Sequence, residues 1–202
     1  MNADQALERY FEIAKAYDGC DAETQTTRFG TLCCPCGPAA ARAFFCTPNV
    51  KDDANSSCEA VAVGAVTLLL AELGLPYLQV PFTFALDSWR AFVTFAKAHG
   101  AYHTPGDGSV IRAGCIVHVE GPHGRHWYGT LEDLGNGAWR TFDGGKLTAS
   151  GYQAAACTTH QLRGSSFDVT SGKPVVDFVD LGELLAALLP ADVEPADSPV
   201  EG

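Results

Sequence analysis

Cys58 stands where a cysteine can act as a nucleophile. It follows the polar stretch Asn55-Ser56-Ser57, whose side chains favour the N-cap position, and an apolar run begins directly after it. A helix N-terminus stabilises a thiolate, and the unpaired N–H groups of its first turn can donate to an oxyanion. The sequence therefore predicts a nucleophilic thiol, with Asn55 and Ser57 as substrate-binding residues that could supply a further donor.

His126 is the candidate general base for this thiol. A Cys–His pair is adjacent in space rather than in sequence, and His126 opens a predicted strand within GRHWYGTLEDLG. Asp143 lies in the next predicted strand, in TFDGG, where antiparallel pairing could bring its carboxylate beside the ring and fix the tautomer. We therefore expect Cys58, His126 and Asp143 to act as nucleophile, base and orienting group in a cleft open to water.

Each of these residues also has a structural alternative. Cys58 could be a small core residue, and His126 and Asp143 could be turn residues beside glycines. His118, on the preceding predicted strand, is an alternative base. His99, His103 and His160 are expected to be surface or loop residues, and His123 lies in a Gly-Pro-His-Gly turn that could line the rim of the cleft. Cys20 and Cys157 have no sequence context that would make them reactive.

Helical spacing predicts three helices in the first half of the chain. The segment that begins at Cys58 is apolar almost all round and ends at Gly74-Leu75-Pro76, a typical C-terminal signal, so it is expected to be a central buried helix. A later helix should run from Asp87 or Ser88 to about His99. The apolar positions that predict an N-terminal helix are Leu7, Tyr10, Phe11, Ala14 and Tyr17.

The second half of the chain predicts an antiparallel β-meander. Residues 115–119, 126–131 and 138–142 form short β-prone runs separated by glycine-rich turns. A further strand at 174–179 leads into a short helix at 180–189. An α+β fold follows, in which the buried helix that carries Cys58 packs on the meander.

In this order, the segments resemble the NlpC/P60 and CHAP superfamily of papain-like cysteine peptidases and amidases. The resemblance is carried by Ser57-Cys58-Glu59-Ala60, Arg112-Ala113-Gly114-Cys115-Ile116-Val117, His126 with Gly129, and Thr141-Phe142-Asp143-Gly144-Gly145. It implies a papain-like fold and hydrolysis of an amide bond through a thioester, most commonly in the peptide stems of bacterial peptidoglycan. The resemblance implies no cofactor and no metal at the site.

Two positions depart from that family. Cys115 stands where the family usually has an acidic residue, and Trp127-Tyr128 replace its usual small residues after the histidine. Bulky aromatic side chains beside the base would reshape the cleft. Trp127 and Tyr128 are therefore candidate substrate-binding residues.

A second resemblance is to transglutaminase-like proteins. It is carried by the segment from Cys58 to Pro76, by His126-Trp127 and by Trp139-Arg140-Thr141-Phe142-Asp143. That family uses the same Cys-His-Asp order, and it implies transfer to an amine as the alternative to hydrolysis. The long segment between Pro76 and His126 fits the first family better. A further alternative is a catalytically inactive relative that binds a peptide in the same groove.

Composition and charge exclude several classes of partner. The chain has 202 residues, a net charge of -11 and no basic stripe, which argues against nucleic acid and anionic membranes. The N-terminal segment does not read as a signal peptide, and the longest apolar run is too short to span a bilayer. We expect a soluble protein, cytoplasmic at synthesis, that reaches a bacterial cell wall by a non-Sec route or with a phage.

The expected domain organisation has three parts. These are an N-terminal helical and cysteine-rich extension (1–50), a papain-like catalytic domain (51–190) and a disordered acidic tail (191–202). The extension contains Cys33, Cys34, Cys36 and Cys46, which could form a zinc site, a disulfide clip or a set of buried thiols. Cys33 and Cys36 have zinc-type spacing, but no second pair follows nearby, so a metal-stapled structural domain is only an alternative.

Overall fold

The computed structural model describes residues 1–19, 58–75, 87–122, 124–147 and 153–189. Several predictions fall outside these ranges: the predicted tail and the roles of Asn55, Ser57, His123, Cys20, Cys33, Cys34, Cys36 and Cys46. Within the described ranges, no helix combines the length and the apolar character that crossing a membrane requires.

The described residues form an α+β structure with four helices and seven strands. The helices are α1 (Ala3–Ala16), α2 (Cys58–Glu72), α3 (Asp87–Ala98) and α4 (Leu181–Leu188). The strands are β1 (Tyr102–His103), β2 (Cys115–Gly121), β3 (Gly124–Gly135), β4 (Ala138–Leu147), β5 (Gln153–Arg163), β6 (Phe167–Asp168) and β7 (Lys173–Asp180).

Helix α2 has no polar face along most of its length. Its residues 61–70 are buried except for Thr67, which is half-buried and donates its hydroxyl to the Val63 carbonyl at 3.0 Å. The helix ends at Glu72, and Gly74 just beyond it has a φ of 66° that lets the Leu75 N–H donate to the Leu70 carbonyl at 3.0 Å. Because α2 begins at Cys58, the thiol lies at its N-terminus.

Helix α1 packs against the other helices through one apolar face. The Asn2 side chain accepts from the Gln5 N–H at 2.9 Å, and the Gln5 side chain accepts from the Asn2 N–H at 3.1 Å, which fixes the start of the helix. Its buried residues are Ala6, Tyr10, Ile13 and Ala14. This face contacts both α2 and α4. The segment predicted as an N-terminal extension thus contributes to the same hydrophobic cluster as Cys58.

The strands pair antiparallel and close on themselves. Their order is β1-β7-β2-β3-β4-β5-β6, and β6 also pairs with β7. Six strands, β2 to β7, therefore form a closed ring of pairings. The hairpin between β3 and β4 turns at Gly135, Asn136 and Gly137, which all have positive φ, as the glycine-rich sequence of the turn favours.

The two faces of this ring form different cores. The outer core packs Trp127, Phe142 and other outward-facing strand residues against the helices, and it includes Cys58. The inner core lies within the ring and contains Ile111, Cys115, Val117, Val119, Tyr128, Leu162, Val175 and Phe178. Because successive residues of a strand point to opposite faces, the longer strands β2, β3, β4, β5 and β7 contribute to both cores.

Strands β5 and β6 were not predicted from the sequence. The segment of β5, QAAACTTHQLR, is built largely of small and polar residues without a strong apolar alternation, so its pattern does not indicate a strand. The interpretation of His160 as a surface or loop residue is wrong, since it lies on β5 and only 4% of it is exposed. His103 likewise lies on β1, where Glu183 contacts its ring at 2.7 Å.

Candidate active site

The structure brings the His126 ring into contact with Cys58 and Asp143. Nε2 of His126 lies 3.2 Å from Oδ2 of Asp143, and the Cys58 thiol is a second hydrogen-bond partner of the same ring. Since Nε2 faces the carboxylate, Nδ1 is the ring nitrogen left for the sulfur. Three residues that are far apart in the sequence therefore form a continuous thiol–imidazole–carboxylate chain.

Cys58 and His126 approach each other from different faces of the sheet. Alternation along β3 places His126 on the side of Tyr128, which belongs to the inner core, whereas Cys58 belongs to the outer core. His126 is the third residue of β3, and Cys58 is the first residue of α2. The contact therefore lies near the ends of both elements.

Asp143 is fully buried and has a partner on each side of its carboxylate. Oδ1 accepts from the Thr158 hydroxyl at 2.6 Å and from the Thr141 hydroxyl at 3.3 Å. Oδ2 lies 3.2 Å from His126 Nε2 and 3.5 Å from His160 Nε2. Burial raises the pKa of Asp143, but hydrogen bonds with His126, His160 and Thr158 outweigh it and hold the pKa well below its usual range. The carboxylate is therefore ionised.

The electrostatics of the site favour a charged imidazole. Burial lowers the pKa of His126, but hydrogen bonds with Asp143 and Cys58 raise it to about 9. A protonated ring beside a sulfur stabilises the thiolate, which is the reactive form of cysteine. This arrangement supplies both the nucleophile and the proton that a leaving group needs.

The Cys58 thiol differs from the sequence expectation in its exposure. We expected it in a cleft open to water, but none of the residue's surface is exposed, whereas 19% of the His126 side chain is. The sulfur packs in the outer core beside apolar residues of α2. The thiol is therefore closed to solvent in this structure.

His160 and Asp168 extend this chain of contacts beyond the predicted residues. Nδ1 of His160 lies 2.7 Å from Oδ2 of Asp168, and the His160 ring stacks on Tyr128 at 4.1 Å between centroids. Asp168 also accepts from the Ser171 hydroxyl at 2.8 Å. Burial lowers the pKa of His160, but hydrogen bonds with Asp143 and Asp168 raise it.

The alternation of side chains along β5 could have located His160, if β5 had been predicted as a strand. Thr158 and His160 are two residues apart on β5, and that strand pairs with β4 so that Thr141 faces Thr158. Once β4 and β5 are placed as neighbours, alternation puts both side chains on the face that carries Asp143. Because the sequence did not predict β5, it did not predict the position of His160 either.

Trp127 and Tyr128, the predicted substrate-binding residues, are both buried. Trp127 stacks on His118 with ring centroids 4.6 Å apart, and only 5% of it is exposed in the outer core. Tyr128 is fully buried in the inner core. Neither ring presents an open surface, and their substrate-binding role stays a prediction.

His118, the alternative base, has a different environment. Its Nδ1 lies 3.0 Å from Oδ1 of Asp177, and its ring stacks on Trp127 and meets Trp89 edge-on. The contact with the Cys58 thiol belongs to His126.

Cys115, the other departure from the family pattern, is buried, and burial together with the Asp180 carboxylate raises the pKa of its thiol. Cys115 is therefore unsuited to act as a nucleophile.

Three residues of the site also have the composition of a metal-binding group. One ligand atom each from His126, Asp143 and His160 lies within 4.8 Å of the other two. Two imidazoles and a carboxylate are ligands that zinc and other divalent transition metals accept.

Comparison with known proteins gives no match to any family model, to any curated protein or to any solved structure.

Proposed function

We propose that the chain is a papain-like cysteine hydrolase that cleaves an amide bond through a thioester on Cys58. The observation that carries the proposal is the His126 ring held between the Cys58 thiol and the ionised Asp143 carboxylate. A nucleophile and a base in contact, with the base oriented by a third group, are the signature of covalent catalysis by cysteine. The position of Cys58 at the start of α2 adds backbone N–H donors for an oxyanion.

In the proposed acylation step, the Cys58 thiolate attacks the carbonyl carbon of the amide. A tetrahedral intermediate forms, the C–N bond breaks, and the protonated His126 ring donates its proton to the leaving amine. The products of this step are a thioester on Cys58 and a free amine.

In the proposed deacylation step, the neutral His126 ring takes a proton from water, and the resulting hydroxide attacks the thioester. Collapse of the second tetrahedral intermediate breaks the C–S bond and releases a carboxylic acid and the thiolate. Asp143 keeps the ring oriented through both steps, because its Oδ2 holds Nε2 while its Oδ1 is fixed by Thr158 and Thr141.

The proposed substrate is a peptide, and the resemblance to the NlpC/P60 and CHAP superfamily points to the peptide stems of bacterial peptidoglycan. The order of the elements supports this likeness, since a helix that begins with Cys58 precedes the antiparallel strands that carry His126 and then Asp143. Transfer of the acyl group to an amine, as in transglutaminase-like proteins, would use the same first step.

The full burial of Cys58 favours a second candidate, a catalytically idle relative that binds a peptide in the same groove. In such a protein the thiol would be a packing residue of the outer core, and the His126–Asp143 pair would be structural. The two candidates differ in whether Cys58 ever forms a covalent bond with a ligand.

The experiment that tests the proposal is digestion of purified bacterial peptidoglycan, with the released peptides identified by mass spectrometry. We expect new amino and carboxyl termini with the wild-type chain and none with Cys58→Ala. Cys157→Ser is the matched control, because this half-buried cysteine lies on β5 and has no place in the proposed chemistry. Equal cleavage by the wild type and Cys58→Ala would refute the proposed nucleophile.

A further inference from the structure

We propose that His126, Asp143 and His160 form a binding site for a divalent transition metal ion such as Zn²⁺, and that the ion competes with the His126–Asp143 contact on which the thiol chemistry depends. The family resemblance of the sequence implied no metal at this site. The metal site is inferred instead from the position of His160 beside Asp143. Metal binding stands on geometry alone, whereas its effect on Cys58 rests on the proposed hydrolase function.

The distances between the candidate ligand atoms are close to those that a metal ion needs. Zinc ligands lie about 2.0–2.2 Å from the ion, so two ligands of a tetrahedral site are roughly 3.3–3.6 Å apart. Asp143 Oδ2 lies 3.2 Å from His126 Nε2 and 3.5 Å from His160 Nε2. Two edges of the tetrahedron are therefore already present, and the third pair of atoms is at most 4.8 Å apart. A small approach of the two rings completes the set.

Two of the three candidate ligands, His160 and Asp143, are oriented by partners on their far sides. His160 contacts Asp168 through Nδ1 at 2.7 Å, which leaves Nε2 to face the site. Asp143 is fixed by Thr158 and Thr141 through Oδ1, which leaves Oδ2 to face the site. Outer partners of this kind, above all a carboxylate behind a histidine, fix the orientation of metal ligands and raise their basicity.

The three ligands stand on neighbouring strands of a closed sheet. His126, Asp143 and His160 lie on β3, β4 and β5, which pair in that order. Side chains held by paired strands keep their relative positions without the ion. The protein therefore does not have to fold around the metal, as a small metal-dependent domain does.

An ion at this site would take the place of the protons between the two rings and Asp143. Nε2 of His126 and Nε2 of His160 face Asp143 Oδ2 at 3.2 and 3.5 Å, and any proton on these atoms leaves for solvent when the ion binds. Three protein ligands leave a fourth position open for water or another ligand. With Nε2 of His126 bound to the metal, the ring no longer contacts Asp143 in the way that the thiol chemistry requires.

The test is titration of the full chain with Co²⁺, followed by calorimetry and by visible absorption. We expect one ion bound at a site with nitrogen and oxygen ligands, weakened at least about tenfold in His160→Gln and about 10–100-fold in Asp168→Asn, which removes only the outer partner. The matched control His99→Gln, which removes a histidine at the end of α3, should bind like the wild type. Circular dichroism establishes whether each variant is folded. If His160→Gln is not folded, the cobalt affinity of Asp168→Asn is compared with that of the wild type instead.

Unchanged affinity in the folded variants would overturn the proposal. So would cobalt that shows only the thiolate charge-transfer band of a cysteine site, because the ion would then be held elsewhere. Labelling of Cys58 by iodoacetamide, with Zn²⁺ and then with EDTA, tests the proposed effect of the ion on Cys58. Protection by Zn²⁺ that is lost in Asp168→Asn supports competition, and equal labelling with and without bound Zn²⁺ overturns it. If Cys58 is not selectively labelled even in EDTA, the proposed hydrolase fails, while the cobalt titration still decides the metal site.

Discussion

The outer and inner faces of the closed sheet contrast in what they bury. The outer core joins α1, α2, α3 and α4 to the strands and is mainly apolar, with His118 buried against Trp127 and paired with Asp177. The inner face buries Asp143, His160 and Asp168 next to apolar residues such as Tyr128 and Phe178. The outer face thus packs the helices against the strands, whereas the inner face holds the network of Asp143, His160 and Asp168 in fixed positions. Cys58 belongs to the first face and touches the second through His126.

The two faces obtain their stability in different ways. Removing an apolar side chain from the outer core loses transfer free energy and leaves a cavity. Removing one member of the inner network leaves its partners charged and uncompensated in a buried place, which costs more than the pair itself contributed. Substitutions on the two faces should therefore lower the free energy of unfolding by different amounts.

The largest effect is expected from Asp143→Ala. Without the carboxylate, the buried rings of His126 and His160 lose their common partner, and we expect the free energy of unfolding to fall by about 3–5 kcal/mol. Asp143→Asn keeps the volume and one acceptor, so its loss should be smaller although hydrolysis should still fail. Urea denaturation followed by circular dichroism measures both variants. A loss below about 1 kcal/mol in Asp143→Ala would contradict the idea that the inner network depends on this carboxylate.

A smaller effect is expected from Gly129→Ala on the outer face. A Cβ at Gly129 would lie 2.0 Å from Oη of Tyr10 and 3.3 Å from Cδ1 of Ile116, and Tyr10 is fully buried. We expect destabilisation of about 1–3 kcal/mol, typical of overpacking. Tyr10→Phe in the same chain should restore part of it, because the nearest atom is then gone. If the double variant is no more stable than Gly129→Ala, then the Tyr10 hydroxyl does not lie over Gly129.

The smallest effect is expected from Tyr10→Phe alone. The Tyr10 hydroxyl is buried without a hydrogen-bond partner in the described part of the chain, and burial raises its pKa. Deleting an unsatisfied hydroxyl removes a desolvation cost, so we expect unfolding free energy to be unchanged or to rise by up to about 1 kcal/mol. Thermal melting of the wild type and the variant checks this. A clear loss of stability would mean that the hydroxyl has a partner.

The sequence predicted the outer face better than the inner one. The apolar run of α2, its end at Gly74 and the glycine-rich turn between β3 and β4 are local signals, and each lies where it was predicted. The α+β fold and the antiparallel meander follow from such signals. The proximity of His126 and Asp143 follows from one hairpin, because Tyr128 pairs with Asp143 across β3 and β4. Their catalytic roles, with that of Cys58, stay predictions.

What the sequence did not predict depends on contacts between distant segments. The ring closes through β6, a strand of two residues, and no local pattern marks so short a strand. His160 and Asp168 were missed because their partners are set by the pairing of β5 and β6 rather than by their neighbours in sequence. The sequence left the burial of Cys58 as an alternative to an open cleft for a similar reason, since the packing of the outer core decides it.

The central claim is that the Cys58 sulfur is activated by the His126 ring, and the rate of iodoacetamide labelling at neutral pH in EDTA tests it most directly. Peptide mass spectrometry resolves the rate at each of the eight cysteines, in the wild type, in His126→Gln and in the control His99→Gln. The account predicts that Cys58 reacts fastest, that its rate falls about tenfold or more in His126→Gln, and that the control leaves it unchanged. A Cys58 that reacts no faster than the other cysteines, or equally fast without the His126 imidazole, would contradict the account.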